Sequence, residues 1–103
     1  MLHQRELQIL DLMAKYGIPV ISQDIAIDSK ISQSTIQAVF RKLLNEGYIE
    51  NVGVTHSGNV LSRQFVPTEK VKTDVINQMV ELYSGVQNIV SADEIYEAIK
   101  NKN

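Results

Sequence analysis

The sequence predicts a mainly α-helical domain carrying one small β-hairpin, an α+β class, and three observations support this. Residues 3–46 place apolar side chains at helical spacing, interrupted by helix-stop and helix-start signals. Residues 48–66 switch to β-branched, strand-like runs around a turn cluster. Residues 68–100 return to helical spacing. With 103 residues, 44% of them hydrophobic and 21% charged, the chain can bury a core without covalent staples.

The elements follow in order. Residues 3–16 form an amphipathic helix with Leu7, Leu10, Met13 and Ala14 inward and Gln4, Gln8, Asp11 and Lys15 elsewhere. Gly17 stands at its C-cap, and Pro19 prevents resumption. Ile18 to Ile21 reads as a short strand. Ser22 is the expected N-cap of a brief helix, 23–29, whose core residues are Ile25 and Ala26. Ser32 caps a third helix that runs to Glu46 and stops at Gly47, with Ile36, Val39, Phe40, Leu43 and Leu44 as its inward stripe.

Strands at 48–55 and 60–66 flank the turn cluster His56-Ser57-Gly58-Asn59, which makes them a hairpin. Pro67 closes the second strand and Thr68 caps a helix at 69–84. Gly85 breaks that helix, and Ile89-Val90 reads as extended. Ser91 and Glu94 then stand at capping-box spacing before a last helix.

Composition removes several classes of function. Without cysteine there is no disulfide framework, no thiolate metal site and no thiol nucleophile. The two histidines, His3 and His56, have no clustered ligand partners, so no metal and no cofactor are expected. No pair of residues offers a nucleophile with a supporting base, and an enzyme is not expected. No apolar run approaches the ~20 residues of a membrane span, and the first residues do not resemble a secretion signal. A cytoplasmic placement is the expectation. The net charge of −2 lies wholly in residues 67–103, which hold four bases against six acids. The preceding part is neutral, so a basic face remains open to it.

Three motifs then stand out: Ser22-x-x-Ile25-Ala26, Ile31-Ser32-x-Ser34-Thr35-Ile36, and Leu43-x-x-x-Gly47-Tyr48-Ile49. With three helices followed by a hairpin, they resemble the winged helix-turn-helix of bacterial repressors. Over residues 3–84 the chain resembles the penicillinase-repressor family, which includes copper-transport repressors. That resemblance implies a recognition helix at the third position, a wing at the hairpin and dimerisation through C-terminal helices. The copper-sensing relatives use a C-terminal cysteine motif that this chain lacks. It also places Ser34 and Gln37 where the family tends to carry Lys or Arg.

Physical reasoning points the same way. A helix entering the major groove needs short polar residues in its N-terminal half so that its backbone can approach base edges. Ser32, Gln33, Ser34, Thr35, Gln37 and Ala38 satisfy this, and Gln suits adenine edges. Arg41 and Lys42, one turn on, suit phosphates. His56, Asn59 and Arg63 are the wing candidates, although His56 reads first as an exposed turn histidine.

The expected organisation is a winged-helix DNA-binding domain at 1–67 and a helical dimerisation segment at 68–103. Val71, Val75, Ile76, Met79, Leu82 and Tyr83 form the expected dimer stripe, broader than a small head needs. The expected partners are double-stranded DNA, bound sequence-specifically at a palindromic operator, and a second copy of the chain. Repression is expected, with control by proteolysis, a regulatory protein or expression level. The rival reading is a winged-helix module for protein–protein contact, which the neutral surface and acidic tail would tolerate.

Overall fold

The computed structural model describes residues 1–102, with backbone only at Ser57. The order is α1 (Gln4–Tyr16), α2 (Ser22–Ser29), α3 (Gln33–Asn45), β1 (Ile49–Ser57), β2 (Val60–Pro67), α4 (Glu69–Ser84) and α5 (Ala92–Lys102). This is the predicted α+β class. The chain divides into two compact units, residues 1–72 and the stretch from Thr73 onward.

In the first unit every fully buried apolar side chain lies between Leu2 and Ile49. α1 contributes Ile9, Leu10 and Met13, α2 contributes Ile25, and α3 contributes Ile36, Phe40 and Leu43. The inward face of α1 is rotated from the expected one: Ala14 is exposed, Leu7 is half-buried, and Glu6 is buried instead. Ile9 joins Leu10 and Met13 on this face, and Glu6 lies on it with its charge satisfied. The Glu6 carboxylate accepts from the His3 backbone N–H at 2.9 Å, closing the open end of α1. Gly17 ends the helix at φ 69°, a left-handed conformation that glycine adopts without a Cβ clash.

α2 begins one residue earlier than expected. Ile21 is its N-cap, and the Asp24 carboxylate accepts from the Ile21 N–H at 3.3 Å, leaving the Ser22 hydroxyl for another partner. Ser32 caps α3 as expected, its Oγ accepting from the Thr35 N–H at 3.3 Å. At the other end of α3, Gly47 turns the chain at φ 81°, and the Tyr48 N–H donates to Leu43 O.

The hairpin is longer than expected. β1 takes in His56 and Ser57, leaving Gly58-Asn59 as a two-residue turn with Gly58 at φ 65°. A bulge between Asn51 and Gly53 interrupts the register. The short strand expected at Ile18–Ile21 reduces to one residue. Val20 exchanges two backbone hydrogen bonds with Phe65, at 3.0 and 2.8 Å, and so lays a third rung on the root of the hairpin. Phe65 packs edge-on against Phe40 of α3, with ring centroids 5.4 Å apart.

The start of α4 is tied to the end of α3. Thr68 Oγ1 donates to Gly47 O at 2.6 Å, and Lys70 Nζ donates to Glu46 O at 2.6 Å while lying 4.5 Å from the Tyr48 ring. A cation there suits the negative end of the α3 dipole.

In the second unit, residues 85–90 are turns rather than the expected extended pair. Ile89 and Val90 both donate to Val86 O, and the Tyr83 hydroxyl donates to Val90 O at 3.0 Å. The capping box is present as expected: Ser91 Oγ accepts from the Glu94 N–H, and Glu94 Oε1 accepts from the Ser91 N–H. Neither α4 nor α5 contains a fully buried residue.

Candidate nucleic-acid interface

At about 100° per residue, the side chains of α3 sort into a buried face and an outer one. Ile36, Phe40 and Leu43 mark the buried face. Ser34, Ala38 and Arg41 are exposed and fall opposite it within an arc of about 60°. This outer ridge is short, polar and capable of close approach to base edges.

The remaining expected readers take up different places. The Ser32 hydroxyl is engaged at the N-terminus of α3, donating to Thr35 Oγ1 at 2.9 Å beyond its capping role. Gln33 is half-buried, and its Nε2 donates to Ser22 Oγ at 3.0 Å, locking α3 to the start of α2. Gln37 is exposed on one flank of the ridge. There it lines a cleft of about 360 Å³ with Ser22, Gln23 and Gln33 on one wall and Leu61, Ser62 and Arg63 of β2 on the other. Arg63 therefore faces the recognition helix across the cleft. His56 and Asn59 are exposed at the hairpin tip, one at the end of β1 and one in the turn.

Lys42 sits on the opposite flank of α3. Its Nζ lies 2.7 Å from the buried Glu6 carboxylate, an ion pair between α3 and α1 that sequence reasoning did not foresee. Burial pushes the Glu6 carboxyl up, but the His3 N–H and the Lys42 ammonium outweigh it and hold the group below its ordinary value. The Lys42 ammonium is correspondingly raised by its bond to Glu6. Among the described residues Arg41 and Arg63 make no ion pair and remain available for phosphate.

The electrostatics around these two arginines are one-sided. No Asp or Glu occurs between Ile31 and Asn45, and none occurs between Asn51 and Thr68. No carboxylate is among the residues lining the cleft, although Asp24 follows Gln23 on the α2 side, and the freedom of α3 and β2 from acids is legible in the sequence once the fold shows that they share a face.

The expected dimer stripe also divides. Val75, Met79 and Leu82 share one arc of α4, whereas Ile76 and Tyr83 lie about 100° round it. Met79, Leu82 and Ile76 are half or more exposed, while Val71, Val75 and Tyr83 are partly covered. Among the described residues no group of three or more His, Asp or Glu side chains could hold a metal. Among the described residues no helix is long and apolar enough to cross a membrane.

No family model matches the sequence, and no curated protein matches it. Solved structures do resemble the fold. The adhesin competence repressor AdcR of Streptococcus pyogenes aligns with a TM-score of 0.57 at 20% identity, covering 96% of this chain and 75% of its own. A MarR family transcriptional regulator from Silicibacter pomeroyi aligns at 0.57 and 19% identity, covering 94% and 65%. A variant of ZitR from Lactococcus lactis aligns at 0.56 and 21%, covering 98% and 70%. None of the three bears the name of a penicillinase repressor, so the winged-helix part of that resemblance stands without the particular family. The chain has the winged-helix fold: three helices, a β-hairpin and two further helices, similar in fold to these structures.

Proposed function

We propose that this protein is a winged-helix transcriptional regulator that binds double-stranded DNA sequence-specifically. α3 enters the major groove, with Ser34, Gln37 and Ala38 against base edges and Arg41 on phosphate. The wing, with Arg63, Asn59 and His56, follows the adjacent backbone. The single observation that carries this reading is the carboxylate-free cleft that sets Gln37 of α3 opposite Arg63 of β2. The similar solved structures, two of them named as a repressor or a transcriptional regulator, support it by analogy of fold.

The active form is a homodimer acting as a repressor on a palindromic operator. Residues 1–67 serve as the DNA-binding domain and residues 68–103 as the dimerisation segment. Exposed Ile76, Met79 and Leu82 on α4 support this, because an apolar surface of that kind marks an association site. A two-fold pair sets two recognition helices about 34 Å apart, or a multiple of it. Control comes from a regulatory protein, from proteolysis or from expression level, and the site of action is the cytoplasm. The finer likeness to penicillinase repressors rests on the sequence motifs alone.

Selection of bound sites from random duplexes tests the proposal. A palindromic consensus, with affinity falling as salt rises, is the expected result. Failure to enrich any duplex, with binding no stronger at low salt, would leave the protein-contact module as the better reading.

A further inference from the structure

The last helix buries nothing fully, yet it carries large apolar side chains. Tyr96 and Ile99 of α5 are 60% and 57% exposed, and Ile95 alone among the described residues of the helix is half-buried. A helix of 11 residues gains little from its own backbone in water, so its stability must come from packing an apolar face. At about 100° per residue, Tyr96 and Ile99 form an outward ridge about 60° wide. Asp93 and Lys100 are exposed and lie together on one flank of that ridge, about 20° apart round the axis and about 10.5 Å apart along it. That is too far for a bond between them, and among the described residues neither makes an ion pair. Lys100 Nζ lies 5.7 Å from the Tyr96 ring, which keeps this cation at the edge of the ridge.

An acid at the start of a flank and a base at its end are self-complementary when the second helix is reversed. Two copies of α5 laid antiparallel set Tyr96 of each against the partner's Ile99, and Asp93 of each against the partner's Lys100. Both charge contacts are then attractive, and both flank the same apolar seam. A parallel pair would instead hold each acid level with its own copy. Charges beside such a seam fix the orientation of the pair and the choice of partner. We propose that α5 pairs antiparallel with α5 of a second copy, and that the Asp93–Lys100 contacts make the chain select its own kind. The last helix thereby acquires a separate role in the homodimer proposed above, a reading on which this inference rests. Exposed Ile76, Met79 and Leu82 of α4, in the same unit, supply the rest of the apolar contact.

The test is sedimentation of the full chain at low salt. Asp93→Lys and Lys100→Asp should each weaken self-association about tenfold, because two attractive contacts become repulsive. Mixed together, the two variants oppose unlike charges at both contacts, and they should associate with each other about as tightly as wild type does. The double variant should also recover wild-type association. A role confined to the helix itself predicts the reverse, because the helix dipole favours an acid first and a base last and would make the double variant the weakest. High salt should narrow these differences, whereas Tyr96→Ala should weaken association at every salt concentration. All these side chains are exposed, so circular dichroism should show the variants folded. Single variants that self-associate like wild type, or a mixture no tighter than its components, overturn the inference and leave the face to another protein. A dimer that Val75→Glu with Met79→Glu still breaks would then keep the homodimer standing without α5. A wild-type monomer at tens of micromolar overturns the homodimer itself and this pairing with it.

Discussion

The Lys42 ammonium on α3 stands 2.7 Å from the Glu6 carboxylate on α1, and that same carboxylate accepts from the His3 N–H at 2.9 Å. One buried acid thus closes the open end of the first helix and clamps the recognition helix to it. A lone carboxylate at 7% side-chain exposure would be costly, and two donors offset that cost. Lys42 is held toward α1, on the flank away from the cleft, which leaves Arg41 as the cation of the outer ridge.

Glu6→Gln keeps the shape and removes the charge. We expect a loss of about 1–3 kcal/mol, because a charge-assisted bond to a backbone N–H and a partner ammonium are both weakened. The pH dependence has a defined sign. The Glu6 carboxyl is lowered in the folded chain, so its stabilisation is complete above the ordinary carboxyl value of 4.5 and disappears as pH falls through the folded value. Urea unfolding from pH 7 to pH 3 should show wild type and variant converging in acid. Parallel curves would exclude the pair as a source of stability.

Tyr16 on α1 donates its hydroxyl to Asp28 on α2. The bond to Asp28 pushes the phenol up to about 12 from 10.0. A raised phenol stabilises the fold fully below pH 10 and less as pH climbs through 12. Ultraviolet titration should show the Tyr16 phenol ionising at lower pH in Asp28→Asn than in wild type. A titration curve unchanged by Asp28→Asn would contradict the bond.

Gln37 and Arg41 should separate cleanly. Gln37→Ala should relax preference at one base position, worth about 1–3 kcal/mol for a bidentate contact. Arg41→Ala should weaken all duplexes alike and reduce the salt slope by about one. Site selection repeated with each variant is the measurement. An unchanged profile with Gln37→Ala removes Gln37 as a reader.

The α4 face is tested by charge. Met79→Glu with Val75→Glu should convert a sedimenting dimer into a monomer at tens of micromolar, on the order of the change that burying two acids in an apolar contact produces. A wild-type monomer, or a variant that still dimerises, would move the interface elsewhere.

The helices of the head were legible because their ends are chemically marked: Gly17, Ser32 and Gly47 each do at their positions what their residue types imply. Elsewhere the marks were ambiguous. Ser22 resembles a cap, but Asp24 reaches Ile21 first, and Ser22 instead receives Gln33. Arg41 and Lys42 read alike as neighbouring cations, yet about 100° of helix separates them, and only the buried position of Glu6 shows which one is already engaged. That position was hidden because a carboxylate among apolar residues counts as polar face in any periodicity. The wing's extra length depended on a two-residue turn, and Gly58 alone could not distinguish it from a four-residue cluster. Ile89 and Val90 read as extended, but within the seven residues 85–91 that join α4 to α5 both donate to Val86 O and close turns instead.

The pair of hydrogen bonds between Val20 and Phe65 has an engineering consequence. Because the hairpin is locked at its root, residues added at Gly58-Asn59 lengthen the free end without disturbing the lock. One residue added to each strand extends the tip by about 3.4 Å and turns the new end over. Two added to each strand extend it by about 6.8 Å and keep the original side facing α3. Reach and facing can therefore be varied separately from the helix that carries Gln37, making the hairpin an adjustable arm on a fixed mount.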